Sequence, residues 1–167
     1  VDTVRTTTNY LLHELNCSSY YLGRIAYRRP QIFQYTPKTM EEKFEYFMHK
    51  LELNETDPIL DILALVPDVF TQSLTDNLEP KFDYLETTVG LSKSQLRTLV
   101  LVKPQVLALG LESNLKRKID YLVNTMGIPL PVVRIIIAEY PTSLRQPFDS
   151  CFQERGALLL HLMEYPI

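Results

Sequence analysis

The sequence predicts an all-α solenoid of stacked repeats, each made of two short helices, and two markers in one frame carry this prediction. Proline recurs at a fixed interval, because 67 − 30, 104 − 67 and 141 − 104 are all 37 residues. A five-residue motif recurs with it, as KFEYF at 43–47, KFDYL at 81–85 and KIDYL at 118–122. A constant period of this size is typical of repeat proteins, whose units bury their apolar faces only by stacking.

The markers divide the chain into a series of repeats that we expect to form one domain over 1–167. The series is a partial repeat 1–29, the repeats 30–66, 67–103 and 104–140, and a degenerate C-terminal cap 141–167. In the partial repeat, the segment Asn9-Tyr10-Leu11 sits at the position of Asp120-Tyr121-Leu122 when both are counted back from the next repeat proline. Residues 1–29 are therefore predicted to form most of another unit.

The repeat 30–66 contains the start signals of two helices. Thr39 and Glu42 have the spacing of a capping box, and the apolar face of the helix that follows is Phe44, Phe47 and Leu51. Asp57 is predicted to cap a second helix whose first residue is Pro58.

The repeat 67–103 follows the same order. Pro80 is suited to the first turn of a helix that Gly90 ends, and Ser92 with Gln95 forms a capping box for a second helix. The opening PDVF at 67–70 is too short for a full helix and predicts one tight turn. The predicted buried positions of the two helices are Phe82, Leu85, Val89, Leu96, Leu99 and Val100.

The repeat 104–140 uses other residues for the same elements. Gly127 is predicted to stop its first helix, and Pro131 to restart the chain as a second one. The predicted apolar faces are Ile119, Leu122 and Met126, then Val133, Ile136, Ile137 and Tyr140. In the cap, one apolar stripe is expected to close the stack: Leu158, Leu159, Leu162 and Met163.

Composition and motifs favour a binding protein over an enzyme. The chain has a formal net charge of −3, and repeat 30–66 is its most acidic part, with 3 Lys and Arg against 7 Asp and Glu. No nucleotide-binding or nucleophile motif occurs, and His13, His49 and His161 lack metal-ligand spacing, so we predict no catalysis, metal or cofactor. The longest apolar runs are too short to predict a membrane span. Cys17 and Cys151 are expected to be small buried hydrophobes.

The in-frame prolines, the three Lys-x-x-Tyr copies and the segments VGLSKSQLRTLVLVKP and MGIPLPVVRIIIAEYP resemble the mitochondrial transcription termination factor (mTERF) family. The resemblance covers essentially the whole chain. It implies a right-handed superhelical solenoid of about four repeats and a location in the mitochondrion or chloroplast. The start at Val1 without a leader is then expected to reflect removal of a transit peptide or a fragment. The resemblance also implies organellar DNA or RNA as the usual ligand, held in a central groove.

The motif lysines and tyrosines are candidates for nucleic-acid contact. Residues at i and i+3 share a helix face, so a stripe turned away from the core is expected: Lys43, Lys81, Lys118, Tyr46, Tyr84 and Tyr121. Lysines would contact phosphates and tyrosines would stack on bases. Replacing Lys81 and Lys118 by Glu would then abolish binding and leave the fold intact. The alternative, which we favour, is that the tyrosines pack against the neighbouring unit under the lysine stems.

Other basic residues are candidates for the same role. Arg97 and Arg134 share a position seven residues before the next repeat proline, and two dense basic clusters occur, Arg28-Arg29 and Lys116-Arg117-Lys118. Each could contact phosphate or belong to a solvated face.

Two functional classes therefore stay open. One is a nucleic-acid-binding regulator of organellar transcription or ribosome assembly, and the other is a scaffold subunit that docks on protein in a large organellar assembly.

Overall fold

The computed structural model describes residues 2–140. Every regular element in this range is a helix, which confirms the predicted all-α fold. The chain divides after Glu79 into two compact units, and each is described by itself. The predicted cap 141–167 lies outside the described residues, and with it Cys151, His161 and the apolar stripe Leu158, Leu159, Leu162 and Met163. The superhelical handedness and the organisation as one domain stay predictions.

The unit that ends at Glu79 consists of short α-helices joined by 3-10 and π-helical turns. Its α-helices are α1 (Asp2–Asn9), α2 (Ser19–Arg28), α3 (Pro37–Lys50), α4 (Asp57–Leu65) and α5 (Asp68–Thr71). Its other turns are the π-helical Tyr10–Glu14 and Leu74–Leu78 and the 3-10 turn Pro30–Gln34.

The unit that follows uses the same elements. Its α-helices are α6 (Glu79–Asp83, which begins one residue before the division), α7 (Lys93–Val102), α8 (Arg117–Asp120) and α9 (Leu130–Glu139). Its π-helical turns are Tyr84–Thr88, Leu111–Lys116 and Tyr121–Thr125, and its 3-10 turn is Pro104–Ala108. The single tight turn expected at each repeat proline is confirmed at Pro30 and Pro104, and as the four-residue α5 after Pro67.

The predicted apolar faces form the cores of the units. The six motif residues predicted to be buried are at most 4% exposed: Phe44, Phe47, Phe82, Leu85, Ile119 and Leu122. Cys17 is also buried, as predicted for a small hydrophobe. The prediction for Tyr140 is wrong, because α9 ends at Glu139 and the tyrosine beyond it is exposed.

The first helix of each repeat ends at one left-handed residue. These residues are Asn16, Glu52, Gly90 and Gly127, with φ of 52°, 52°, 77° and 67°. The predicted stops at Gly90 and Gly127 are therefore confirmed, since glycine reaches this region without steric cost. A Cβ on Gly90 would also lie 2.6 Å from Nη2 of Arg134, so this glycine additionally makes room for the arginine.

Two predicted helix starts are displaced. The capping box of α7 is present, with Ser92 and Gln95 in their predicted roles. In α3, however, Thr36 caps the helix one turn before Thr39, because the chain already has helical geometry from Pro37. Asp57 is the first residue of α4 and not its cap.

Pro80 does not begin a helix, contrary to the prediction. Ser73 caps the segment, and helical structure runs from Leu74 through α6 to Thr88. Proline inside a regular α-helix loses a hydrogen bond and clashes with the carbonyl four residues earlier. The preceding π-helical turn, Leu74–Leu78, is wider, and such a turn can relieve that clash.

Candidate functional site

The three motif lysines lie in the interior of their units. Lys43, Lys81 and Lys118 are only 6%, 3% and 2% exposed. Burial lowers the pKa of each ammonium below its usual value, because it removes water from the charged form. Buried charged groups need hydrogen-bond partners, and backbone carbonyls supply them for Lys43 and Lys81.

Lys43 and Lys81 bind the end of the short turn that opens the next repeat. Nζ of Lys43 donates to the carbonyl oxygens of Phe70 and Gln72, the latter at 2.6 Å. Nζ of Lys81 donates to the carbonyl oxygen of Leu107 at 2.6 Å. The last carbonyls of a helical turn have no donor within the turn, so each lysine stabilises an otherwise unpaired end by a charge-assisted hydrogen bond.

Thr7 has the same role in the partial repeat. It precedes its repeat proline by 30 − 7 = 23 residues, as Lys81 does by 104 − 81 = 23. Its side chain is fully buried, and Oγ1 donates to the carbonyl oxygen of Tyr35. Tyr35 follows the 3-10 turn of its repeat as Gln72 follows α5. A buried donor therefore serves the end of the opening turn in three successive repeats: Thr7 the fifth residue after the repeat proline, Lys81 the third, and Lys43 both.

The predicted outward-facing lysine stripe is wrong as a description of the fold. All three lysines are buried, and the ammonium groups of Lys43 and Lys81 contact carbonyls inside their units, so the motif lysines present no cationic surface to a phosphate backbone. Lys81→Glu and Lys118→Glu are therefore expected to destabilise the fold, contrary to the prediction from sequence, since each would bury a carboxylate. A structural role for the motif agrees with this burial.

The motif tyrosines are also largely enclosed. Tyr84 is buried, and Tyr46 and Tyr121 are half-buried. Burial, with the nearby carboxylates of Asp120 and Glu112, raises the pKa of Tyr84 to about 12. Tyr10, three residues after Thr7, likewise has its pKa raised to about 12 by burial and by Glu41 and other acids. These rings lie among acidic side chains, which is a poor environment for stacking on nucleic-acid bases.

We expect Tyr84→Phe to reduce the alkaline sensitivity of the protein. A hydroxyl whose pKa rises from 10.0 to about 12 on folding stabilises the folded state fully below pH 10. This contribution is lost as the pH rises through about 12, so the free energy of unfolding should fall more steeply in wild type than in the variant. Urea unfolding across this window measures the difference. Tyr27→Phe, on an exposed ring, is the matched control; equal slopes for wild type and Tyr84→Phe would contradict the prediction.

The predicted arginines lie in different environments. Arg97 is exposed on α7. Three others bind their own unit: Nε of Arg134 donates to Val89 O at 3.1 Å, Arg28 donates to Leu65 O, and Arg29 forms an ion pair with Asp68. Their positive charge is therefore partly committed to the fold.

The three residues of the cluster Lys116-Arg117-Lys118 lie on different sides of the helix. Lys118 points inward, Arg117 is exposed, and Lys116 pairs with Glu112 while its Nζ lies 5.7 Å from the centroid of the Tyr84 ring. A shallow cleft beside them has mixed charge, with Glu112, Asp120 and Tyr121 in its lining. Among the predicted basic candidates, Arg97 and Arg117 have exposed side chains.

Metal binding and membrane insertion find no support within residues 2–140. This part of the chain holds no group of three or more His, Cys, Asp or Glu that could bind a metal ion. His13 and His49 lie at the surface. None of the helices between these limits combines the length and apolar character needed to cross a membrane.

Sequence reasoning missed one exposed surface, the outer face of α2. Tyr20 and Tyr27 are large exposed side chains on this helix, with Gly23 and Arg24 between them. The sequence pattern that could have indicated this surface is the spacing of seven residues between the two tyrosines, which places them on one helix face.

Comparison with protein-family models identifies the family. A family model described as mTERF matches residues 3–163 of the 167-residue chain. The matched range contains all the proline-led repeats found in the sequence. No curated protein matches the chain.

Proposed function

The chain belongs to the mTERF family, and on that premise we propose that it is a non-catalytic nucleic-acid-binding protein of organellar gene expression, acting in transcription or ribosome assembly. The observation that carries the proposal is the family match over nearly the whole chain. The family suggests an organellar regulator that binds nucleic acid, in the mitochondrion or the chloroplast.

Exposed arginines are the proposed phosphate contacts in place of the motif lysines. Arg97 on α7 and Arg117 on α8 have exposed side chains. Phosphates respond mainly to charges within about 8–10 Å at moderate salt, so a net charge of −3 does not by itself prevent local binding. The proposed contact is with backbone phosphate, and no base readout is assigned.

Titration of labelled RNA and duplex DNA at two salt concentrations tests the proposal. Each phosphate contact contributes roughly −0.7 to −0.9 to the slope of log affinity against log salt. The double variant Arg97→Glu with Arg117→Glu is expected to weaken binding and to make the slope shallower by roughly 1.5. A Lys38→Glu variant, changed at another exposed site, controls for overall charge. Absence of binding at the lower salt would contradict the proposal.

A second candidate function is a scaffold subunit that docks on protein in a large organellar assembly. The observation that favours it is the burial of all three motif lysines, which removes the cationic ladder expected of a groove that binds nucleic acid. The acidic surface of α3, with Glu41, Glu42 and Glu45 exposed, would also repel a phosphate backbone. This function predicts no affinity for either nucleic acid and copurification with a defined organellar protein particle.

A further inference from the structure

A cleft in the unit that ends at Glu79, the Tyr10 cleft, combines apolar walls with an acidic rim. Its volume is ≈ 460 Å³, and it lies between the partial repeat and α3. The apolar part of its lining includes Leu15, Phe44 and Met48, and the polar part includes Tyr10, Glu41 and Glu45. The two glutamates are one helical turn apart on α3, and both are exposed. Apolar walls with a few polar groups are typical of sites that bind small ligands or single side chains.

The Tyr10 hydroxyl has no hydrogen-bond partner among the described residues, although the residue is only 8% exposed. Its pKa is raised to about 12 by burial and then by the carboxylates of Glu41, Glu14 and Glu45. None of these three carboxylates forms an ion pair with a residue in the described part of the chain. A buried polar group without a partner is unusual in proteins. The cleft therefore presents an acceptor and negative charge that the described residues leave unbalanced.

The other unit contains the same arrangement with a cation in place. Tyr84 and Tyr10 share one repeat position, since 104 − 84 and 30 − 10 are both 20 residues before the next repeat proline. Nζ of Lys116 lies 5.7 Å from the centroid of the Tyr84 ring and pairs with Glu112. Burial, with the carboxylates of Asp120 and Glu112, raises the pKa of the Tyr84 hydroxyl. A motif tyrosine among carboxylates thus holds an ammonium group in that unit.

The repeat register identifies the residue that differs between the two sites. Two residues before the motif lysine, one repeat has Lys116 and the other has Glu41. Two residues after it, both repeats have an acid, Asp120 and Glu45. The Tyr10 cleft therefore keeps the tyrosine and the acid but has a carboxylate in place of the ammonium. Both members of this exchange lie within residues 2–140, so the missing cation does not depend on chain beyond these limits.

We propose that the Tyr10 cleft binds a primary alkylammonium group. The ammonium lies among the Tyr10 hydroxyl and the carboxylates of Glu41 and Glu45, and its three N–H donors suit these three acceptors. The aliphatic chain packs on Met48 and the apolar wall. A linear aliphatic diamine and the lysine side chain of another protein share this chemistry. The proposal holds whether or not the chain binds nucleic acid, because the cleft contains none of the proposed phosphate contacts.

Two other ligand classes fit the cleft less well. Phosphate groups would be repelled by the carboxylates of Glu41 and Glu45. Divalent metal ions such as Ca²⁺ and Mg²⁺ require several oxygen ligands or retained water, which apolar walls do not provide. In addition, residues 2–140 contain no group of three or more His, Cys, Asp or Glu that could bind a metal ion. An organic cation satisfies both the acidic rim and the apolar wall.

The methyl group of Met48 gives a readout at the site itself. The full chain labelled with ¹³C-methyl methionine is titrated with 1,5-diaminopentane and, in a second arm, with the blocked peptide acetyl-Gly-Lys-Gly-amide. We expect a saturable shift of the Met48 resonance and none of Met126, which lies in the other unit. The same peptide with an acetylated lysine side chain controls for the aliphatic chain. Magnesium chloride at matched ionic strength controls for charge alone.

Substitutions on α3 test the role of each carboxylate. Glu41→Gln combined with Glu45→Gln is expected to weaken binding roughly tenfold, and Glu42→Gln, outside the lining, to leave it unchanged. Glu41→Lys introduces the ammonium found at the equivalent position of the other unit, and it should abolish binding. Glu42→Lys makes the same change of charge one residue away and should weaken binding by at most about threefold. These side chains are exposed, so the circular dichroism spectrum should not change.

The two arms distinguish the source of the ammonium. Tighter binding of the diamine assigns the cleft to a small aliphatic amine, and tighter binding of the peptide assigns it to a lysine of another protein. The proposal is overturned if neither probe shifts the Met48 resonance, or if the acetylated peptide or magnesium shifts it equally. Equal loss of binding in Glu41→Lys and Glu42→Lys would also overturn it, since only general charge would then matter.

Discussion

Leu85→Asp is expected to unfold the protein under conditions in which wild type is stable. Leu85 follows the second motif tyrosine and is fully buried in the core of its unit. The variant loses apolar burial and places a carboxylate in the apolar core of the unit. Together these effects cost about 4 kcal/mol or more. Since natural domains are stable by about 5–15 kcal/mol, most of the folding free energy is lost.

Urea unfolding followed by circular dichroism measures this loss. Loss of helix is expected to be cooperative, because repeats depend on their neighbours for burial. Val102→Asp introduces the same charge at an exposed apolar residue of α7 and should change stability by less than about 0.5 kcal/mol. A Leu85→Asp protein with the helix content and urea midpoint of wild type would show that the described core is wrong.

Lys81→Met is expected to destabilise the protein by about 1–3 kcal/mol, the usual cost of leaving a buried acceptor unsatisfied. Methionine keeps most of the aliphatic volume of the lysine but cannot donate to the carbonyl oxygen of Leu107. Relief of the buried ammonium offsets part of this cost, because burial alone disfavours the charged form. The sign of the change in the free energy of unfolding therefore shows whether the hydrogen bond of Lys81 outweighs the desolvation of its ammonium group.

The pH dependence gives a second measurement on the same pair of proteins. The pKa of Lys81 is lower in the folded state than its usual 10.5. The unfolded chain therefore binds more protons between the two values, and this lysine makes stability rise with pH there. Lys81→Met should lack that contribution. Lys38→Met, at an exposed site, is the control for loss of a lysine. A Lys81→Met protein at least as stable as wild type at neutral pH would contradict the proposed role of the hydrogen bond.

These two predictions bear on why the motif recurs. A lysine that reaches the carbonyls of the next repeat's opening turn must recur once per repeat, because each junction has the same unpaired carbonyls. Thr7 makes the corresponding hydrogen bond with a shorter, uncharged side chain, so the partial repeat has the hydrogen bond without the positive charge. Recurrence of the motif thus has a structural explanation, and a nucleic-acid interface has to be sought among other residues.

The sequence alone determined the fold class, the period and most of the core. Period and helix stops follow from local chemistry: proline excludes helix continuation, and glycine admits the left-handed geometry that ends a helix. Phe82 and Leu85 could be assigned to the core because apolar residues three apart share a face. The first residues of helices were harder to predict from sequence, because several possible capping residues can lie within one turn. In α3, for example, the cap is Thr36 and not Thr39.

Only the tertiary structure decided which side chains are available to a partner. Lys81 on a helix looks like a solvated cation from its neighbours in sequence, and its burial depends on Leu107 O, 26 residues away. Tyr27 of α2 looks equally ordinary, and its exposure depends on which side of α2 packs on α4. The physical reason is common to both. Local sequence fixes the face of a helix on which a side chain lies, whereas exposure depends on which neighbour covers that face.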